Sequence, residues 1–576
     1  MRKHTLVLSL ALVLAFAFAA FLAGCANSGA STSAQGDASA SMEAGSSEST
    51  QDESSTSASQ EAGASAEQAS ADATSASQVV VAIPASSEPE AGFDPFFTWG
   101  CGEHVHEPLI QSTLIRTNVN LEFENDLATS YETSDDGLTW TFTIRDDVVF
   151  SDGEPLTAAD VAFTLNGIKA SEGSECDLSF MDEAVATSDT TVEIKLNKPF
   201  NALLYQLANI GIVPEHAYSS GYGSNPIGSG RYMLEQWDRG QQAIFVANPN
   251  YYGDTPKIER VVVLFAEEDA AYAAVNSSQV DLAWTSATLA DTVPAGFTLL
   301  SCNSVDSRGI SLPVLEAGGT KEAGDSSYNT GNDVTSDLAV RKAINYGIDR
   351  DVLVEHVMNG HGTVAYSVGD GMPWASEDMK VNTDVEAAKQ FMEDGGWTLG
   401  SDGVYEKDGT RAAFDLYYSA SDSVRQAIAE EVKNQLAEVG IEVTPVGSTW
   451  TEDGLYGHQY TDPVVWGWGS NAPIEIYNIY HSAGNSNAAC YSNETTDAHI
   501  EAALAAPRVE ESYELWQQAY WDGAQGPAPQ GDAAWVWLAN IDHLYFVKDG
   551  LTVAEQKPHP HGHGWSILNN VDEWTW

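Results

Sequence analysis

The stretch 26–78 is built mostly from Ser, Ala, Gly, Glu, Gln and Asp and holds no aromatic, Leu, Ile or Val residue. Such a segment buries too little apolar surface to offset its ordering entropy, so it is expected as a disordered spacer. As a flexible coil its ends lie roughly 40 Å apart. Everything able to build a core therefore starts at Val79 and runs to Trp576. A body of that length exceeds one hydrophobic core and predicts two large lobes.

Ahead of the spacer, Arg2 and Lys3 precede an apolar run that ends in small residues at Ala23-Gly24-Cys25. Charge, apolar run and small residues in that order make an export signal over 1–24. Leu22-Ala23-Gly24-Cys25 also resembles the bacterial lipoprotein cleavage box, which implies lipidation of Cys25 and anchoring to the outer side of the cell membrane. No second apolar run is long enough to span a bilayer. The formal net charge of −58 excludes nucleic acid as a partner, because phosphates need Lys and Arg clusters that are missing here. Of the five cysteines, Cys101, Cys176, Cys302 and Cys490 remain beside Cys25. Export permits disulfides, but four cysteines allow three connectivities and the sequence does not choose.

The body reads as α/β. Val79-Val80-Val81-Ala82-Ile83 is a short buried strand, and 138–144 alternates with the period of a half-buried one. Thr157 is placed to cap a helix beginning Ala158-Ala159-Asp160. Further amphipathic helices are expected over 337–346 and 423–439, the latter ending at Gly440 before the strand Ile441-Glu442-Val443.

Five separated segments make the chain recognisable. They are Gly137-Leu138-Thr139-Trp140-Thr141-Phe142 through Ser151-Asp152-Gly153, Pro226-Ile227-Gly228-Ser229-Gly230, Asn248-Pro249-Asn250-Tyr251-Tyr252-Gly253, Val340-Arg341-Lys342-Ala343-Ile344-Asn345-Tyr346, and Trp466-Gly467-Trp468 with Tyr491-Ser492-Asn493. In this order they resemble the extracellular solute-binding proteins of family 5, the peptide and nickel binders of ABC importers. The resemblance implies an α/β two-lobed clamshell, the periplasmic-binding-protein type II fold in its large three-subdomain form. By that analogy lobe I covers 79–315 with an inserted subdomain at 126–200, lobe II covers 316–540, and 541–576 returns to lobe I. It implies a monomer that captures short peptides for ABC importer permease subunits. The alternatives are nickel or another transition metal held as a small chelate, and a sensory lipoprotein without a transport role. No cofactor is required in any of these, and nickel enters only as cargo. No Gly-x-Ser-x-Gly elbow, metallohydrolase motif or phosphate loop is present, so an enzyme is not expected.

Ligand contact is expected from Trp99, His104, His106, Arg308, Trp466, Trp468 and Asn471. Peptide binders of the family often carry an aspartate shortly after the tryptophan that pairs with the ligand's amino terminus. Asn471 stands at or near it here, and a neutral amide offers no ion pair. Amino-terminus capture is then weakened, shifted to Glu475, or absent. Trp466 and Trp468 serve either as core or as a stacking wall. Arg308 is placed either to clamp a carboxylate of the ligand or to pair with an acid of this very acidic chain, and Arg341 reads as structural. For a transition metal the candidate ligands are His104, His106 and Cys101, with His559, His561 and His563 near the C-terminus, because imidazole and thiolate suit nickel, zinc and copper.

Overall fold

A computed structural model describes residues 77–101, 105–324, 326–561 and 564–576. The signal segment, Cys25, the spacer up to residue 76, His104 and His563 lie outside the described residues. Among the described residues no helix is long and apolar enough to cross a membrane.

Two large sheets organise the body. The first has seven strands in the order Phe297–Cys302, His543–Lys548, Leu282–Thr285, Gln78–Pro84, Arg260–Ala266, Gln242–Ala247 and Tyr232–Asp238. Its centre pairs Gln78–Pro84 in parallel with Arg260–Ala266, placing Val79 beside Val261 and Val81 beside Val263. All four valines are fully buried, as alternating β-branched residues on a covered face should be. The second sheet has six strands in the order Gly362–Val364, Trp535–Ile541, Ser307–Ser311, Val464–Trp468, Ala413–Ser419 and Glu442–Ser448. A separate four-stranded sheet between residues 128 and 196 packs under the helix Ala158–Ala170. That helix starts where Asp160 accepts a bond from the Thr157 N–H at 2.8 Å, a capping box in which residue types fix the start.

The chain passes from the first sheet to the second between Cys302 and Ser307 and returns between Ile541 and His543. The strand Ser307–Ser311 thus already belongs to the second sheet, and a lobe boundary at 315/316 falls beyond the crossing. No Gly or Pro marks residues 303–306, so composition carries no sign of the change of sheet. The C-terminal segment runs alongside this crossing. His559 donates its N–H to the Asn303 carbonyl and accepts from the Val305 N–H, both at 2.9 Å.

The helix Ser423–Val439 packs on the second sheet through Ile428, Ala429, Val432 and Leu436. Asp422 caps it by accepting the Arg425 N–H at 2.9 Å, and Gly440 ends it at φ +98°, a left-handed turn open to glycine. Arg341 is buried and donates to the carbonyls of Thr335, Ser336 and Asp532, so its role is to satisfy backbone groups.

Candidate functional site

Both crossings and the tail converge on one cavity of about 1260 Å³, lined from the first sheet, the 168–209 region and the second sheet. Asp306 sits at the crossing and is buried. It pairs with Arg308, and it stands 3.1 Å from His543 Nε2 and 2.5 Å from His561 Nδ1. Burial opposes ionisation of Asp306, but Arg308 and the two histidines outweigh it and hold the carboxyl well below the usual range. The carboxylate therefore joins the two crossings and the tail at one point.

A second arginine comes from the helix above. Arg425 pairs with Asp422 at 2.5 Å, and its side chain reaches down to the strand Val464–Trp468. It meets Arg308 over Gly467. A Cβ on Gly467 would collide with Arg425 Nη2 and stand 2.7 Å from Arg308 Nη1 and 2.8 Å from His561 Cε1. Glycine is what lets these three side chains crowd over the strand. Burial and repulsion from Arg308 push the Arg425 guanidinium below its ordinary value, and Asp422 only partly offsets this. Arg308 and Arg425 each keep a buried Nε with no hydrogen-bond partner among the described residues. These two adjacent guanidiniums, each paired with one carboxylate (Asp306 or Asp422) and each keeping an unmet donor, form the floor of the cavity.

Aromatic rings form one wall. Trp466 Nε1 donates to Ser311 Oγ at 3.0 Å, which fixes its ring. Trp468 lies on one side at 6.0 Å between centroids and Trp450 on the other at 5.4 Å. Trp468 Nε1 is a third buried donor without a partner. Opposite in character is Glu475, whose buried Oε2 also lacks a partner. Burial pushes its carboxyl up to about 7, opposed by Asn478 and Ser470.

The expected site residues divide. Arg308, Trp466, Trp468 and His561 line the cavity. Trp99 and His106, expected at the ligand, are placed in the core of the first lobe. Trp99 is fully buried, donates to Gln111 at 3.2 Å and meets Phe93 and Trp565 edge to face. His106 packs 4.2 Å from Trp99 and stacks on Trp565. The apolar mass around them explains the placement. Cys101, expected as a metal ligand, is bonded to Cys176, so its sulfur offers no thiolate. His559 is fully buried between His543 and Gln556, and burial with the neighbouring His543 and Lys557 charges holds it well below its usual value. It braces the crossing. Asn471 spends its amide N–H on the Pro558 carbonyl at 2.9 Å, tying the ligand wall to the tail. Among the described residues no group of three His, Cys, Asp or Glu is arranged to hold a metal ion.

Asp306, Asp422, Arg425, Trp450 and His543 were not singled out from sequence. Arg425 opens an amphipathic helix, where an arginine ordinarily faces solvent. Only the small Gly467 beneath it, inside Trp-Gly-Trp, signals that something must approach that strand closely.

A family model described as "Bacterial extracellular solute-binding proteins, family 5 Middle" matches residues 122–489. Protein XP55 of Streptomyces lividans is 31% identical over 497 residues, covering 82% of this chain and 86% of its own. The crystal structure of NikZ from Campylobacter jejuni in complex with Ni(L-His) superposes with a TM-score of 0.73 at 23% identity, over 87% of this chain and 99% of that one. AppA from Bacillus subtilis, in complex with a nonapeptide, gives a TM-score of 0.68 at 23% identity, over 86% and 98%. Two sheets joined by paired crossings, a cavity between them and a match over more than half the length agree: this chain belongs to the bacterial extracellular solute-binding proteins of family 5.

Proposed function

We propose that the protein captures short peptides by their terminal carboxylate in the interlobe cavity and presents them to the permease of an ABC importer. Lipidation of Cys25 and the spacer after it would hold the body at the membrane while leaving it free to reorient. The observation that carries the reading is the convergence of Arg308 and Arg425 over Gly467, each with a buried, unpartnered Nε. An incoming carboxylate resting on the two guanidiniums relieves the repulsion between them. The cavity, at about 1260 Å³, exceeds the roughly 300–1,000 Å³ of most small-molecule sites, which suits several residues of peptide. The nonapeptide held by AppA points the same way. Closure of the lobes on the ligand would couple occupancy to a shape the permease reads.

A nickel chelate is the second reading. His561 stands beside the two arginines, so a metal complex whose own carboxylates rest on Arg308 and Arg425 would offer the imidazole an open position, and NikZ holds Ni(L-His).

Calorimetric titration of the purified body with trialanine and with trialanine amide separates the two. The free acid is expected to bind at least ~10-fold more tightly than the amide, and Arg425→Gln to remove that difference. Equal binding of acid and amide would contradict the proposal, and binding of Ni(L-His) with no response to either peptide would replace it by the second reading.

A further inference from the structure

Nine large apolar side chains stand out as exposed on the described body, and Trp450 is the one among them that lines the cavity. It is 36% exposed, whereas Trp466 behind it is 7% exposed. The ring sits at 5.4 Å and 36° on Trp466, with Tyr456 at 5.7 Å on its flank. Trp468, Trp466 and Trp450 thus make a row of tilted rings whose last member has surface left open. A ring kept only for packing would be covered where it stands, since each square ångström of apolar surface left in water forgoes stabilisation.

The loop that carries it is fixed. After the strand Glu442–Ser448, the Thr449 carbonyl accepts from the Thr451 and Leu455 N–H groups at 2.9 Å each, and the Thr451 carbonyl accepts from Gly454 at 2.9 Å. The loop is therefore fixed before a ligand arrives and the indole packs on Trp466 and Tyr456, which lowers the ordering cost of binding. Its neighbour on the charged side is Arg425, whose guanidinium carbon lies 5.8 Å from the Trp450 ring centroid. One side chain thus borders both the floor of the cavity and the open indole.

We propose that Trp450 forms a subsite for a planar side chain on the residue that bears the ligand's carboxylate, so that peptides ending in Phe, Tyr or Trp are preferred. This rests on the carboxylate reading above. With the carboxylate on Arg308 and Arg425, the side chain of the terminal residue is the part of the ligand nearest Trp450. Two rings in offset or edge-to-face contact gain more than their buried area, and a flat ring matches the flat indole better than a branched chain. The floor then selects for a terminal acid and the wall for the shape beside it.

The test compares Gly-Gly-Phe, Gly-Gly-Val, Gly-Gly-Gly and Gly-Gly-Phe amide by calorimetry on the wild-type body, on Trp450→Ala and on Trp450→Phe. On the wild type Gly-Gly-Phe is expected to bind ~10-fold more tightly than Gly-Gly-Val, a ratio that falls below ~2 in Trp450→Ala and stays well above that in Trp450→Phe. The preference for acid over amide should persist in Trp450→Ala, which shows the variant folded and the floor working. A wild-type ratio near one, or one unchanged in Trp450→Ala, overturns the subsite. Loss of the acid preference on the wild type with the ring preference kept overturns the carboxylate reading, and with it the placing of the ring on the terminal residue, and leaves Trp450 only as a wall for aromatic rings. No binding of any of the four peptides overturns both.

Discussion

Glu475 shows how one buried residue sets a property of the whole fold. Its carboxyl is pushed up to about 7 by burial, above the ordinary 4.5. The folded body therefore binds that proton more tightly than the unfolded chain does. The stabilisation this gives is complete below pH 4.5 and is lost as pH rises through about 7. Glu475→Gln cannot ionise and escapes the loss. The variant should match the wild type near pH 4.5 and exceed it above pH 7.5 by on the order of 3 kcal/mol in urea unfolding. Parallel pH curves for the two proteins would show that Glu475 is not held neutral by burial. Residues such as this were only half legible in the sequence. The sequence offers Glu475 as a fallback partner for an ammonium group, but the burial of its Oε2 in the first turn of the helix Ile474–Tyr480 is set by tertiary packing that no local pattern encodes.

Elements explain why some assignments were readable and others were not. The helix Ser423–Val439 is legible in the sequence, because the helical period and Gly440 point to the same limits. The strand Gln78–Pro84 follows from its short apolar run and Thr139–Ile144 from its alternation. What periodicity does not encode is which covered face meets ligand and which meets core. Trp99 and His106 illustrate the loss: the family resemblance implies a place beside the cleft, and the rings of Phe93 and Trp565 enclose them instead. The pairing of Cys101 with Cys176 was equally hidden, since it requires the loop before residue 106 to meet the loop after the helix Ala158–Ala170. The strand Val464–Trp468 yields a test at this scale. Gly467→Ala adds one methyl group where Arg308, Arg425 and His561 crowd, so the guanidiniums must part. Overpacking of this kind costs about 1–3 kcal/mol in unfolding free energy. Affinity for a free-acid peptide should fall at least ~10-fold alongside it. Unchanged affinity would mean that the two arginines do not act together on the ligand.

At the scale of the molecule, the clamshell was readable from five segments that keep the turns and helix faces of the fold, and the capture site was not. The site is assembled at the crossings, where Asp306 and His543 come from strands far apart in sequence and His561 from the tail. No local pattern marks such a meeting point. On the proposed carboxylate reading, the groups that would meet the ligand also brace the crossings, so occupancy would be linked to lobe position through Arg308 and Asp306. On the proposed reading, Arg308 and Arg425, paired with Asp306 and Asp422, together receive a ligand carboxylate in the cavity. The most direct measurement is to purify the body from its native host without added ligand, denature it, and analyse what is released by mass spectrometry together with elemental metal content. The expected result is peptides with free carboxyl termini, approaching one per chain, and absent from the Arg425→Gln variant. Nickel near one per chain with no peptide, or the same released peptides from that variant, would contradict the account.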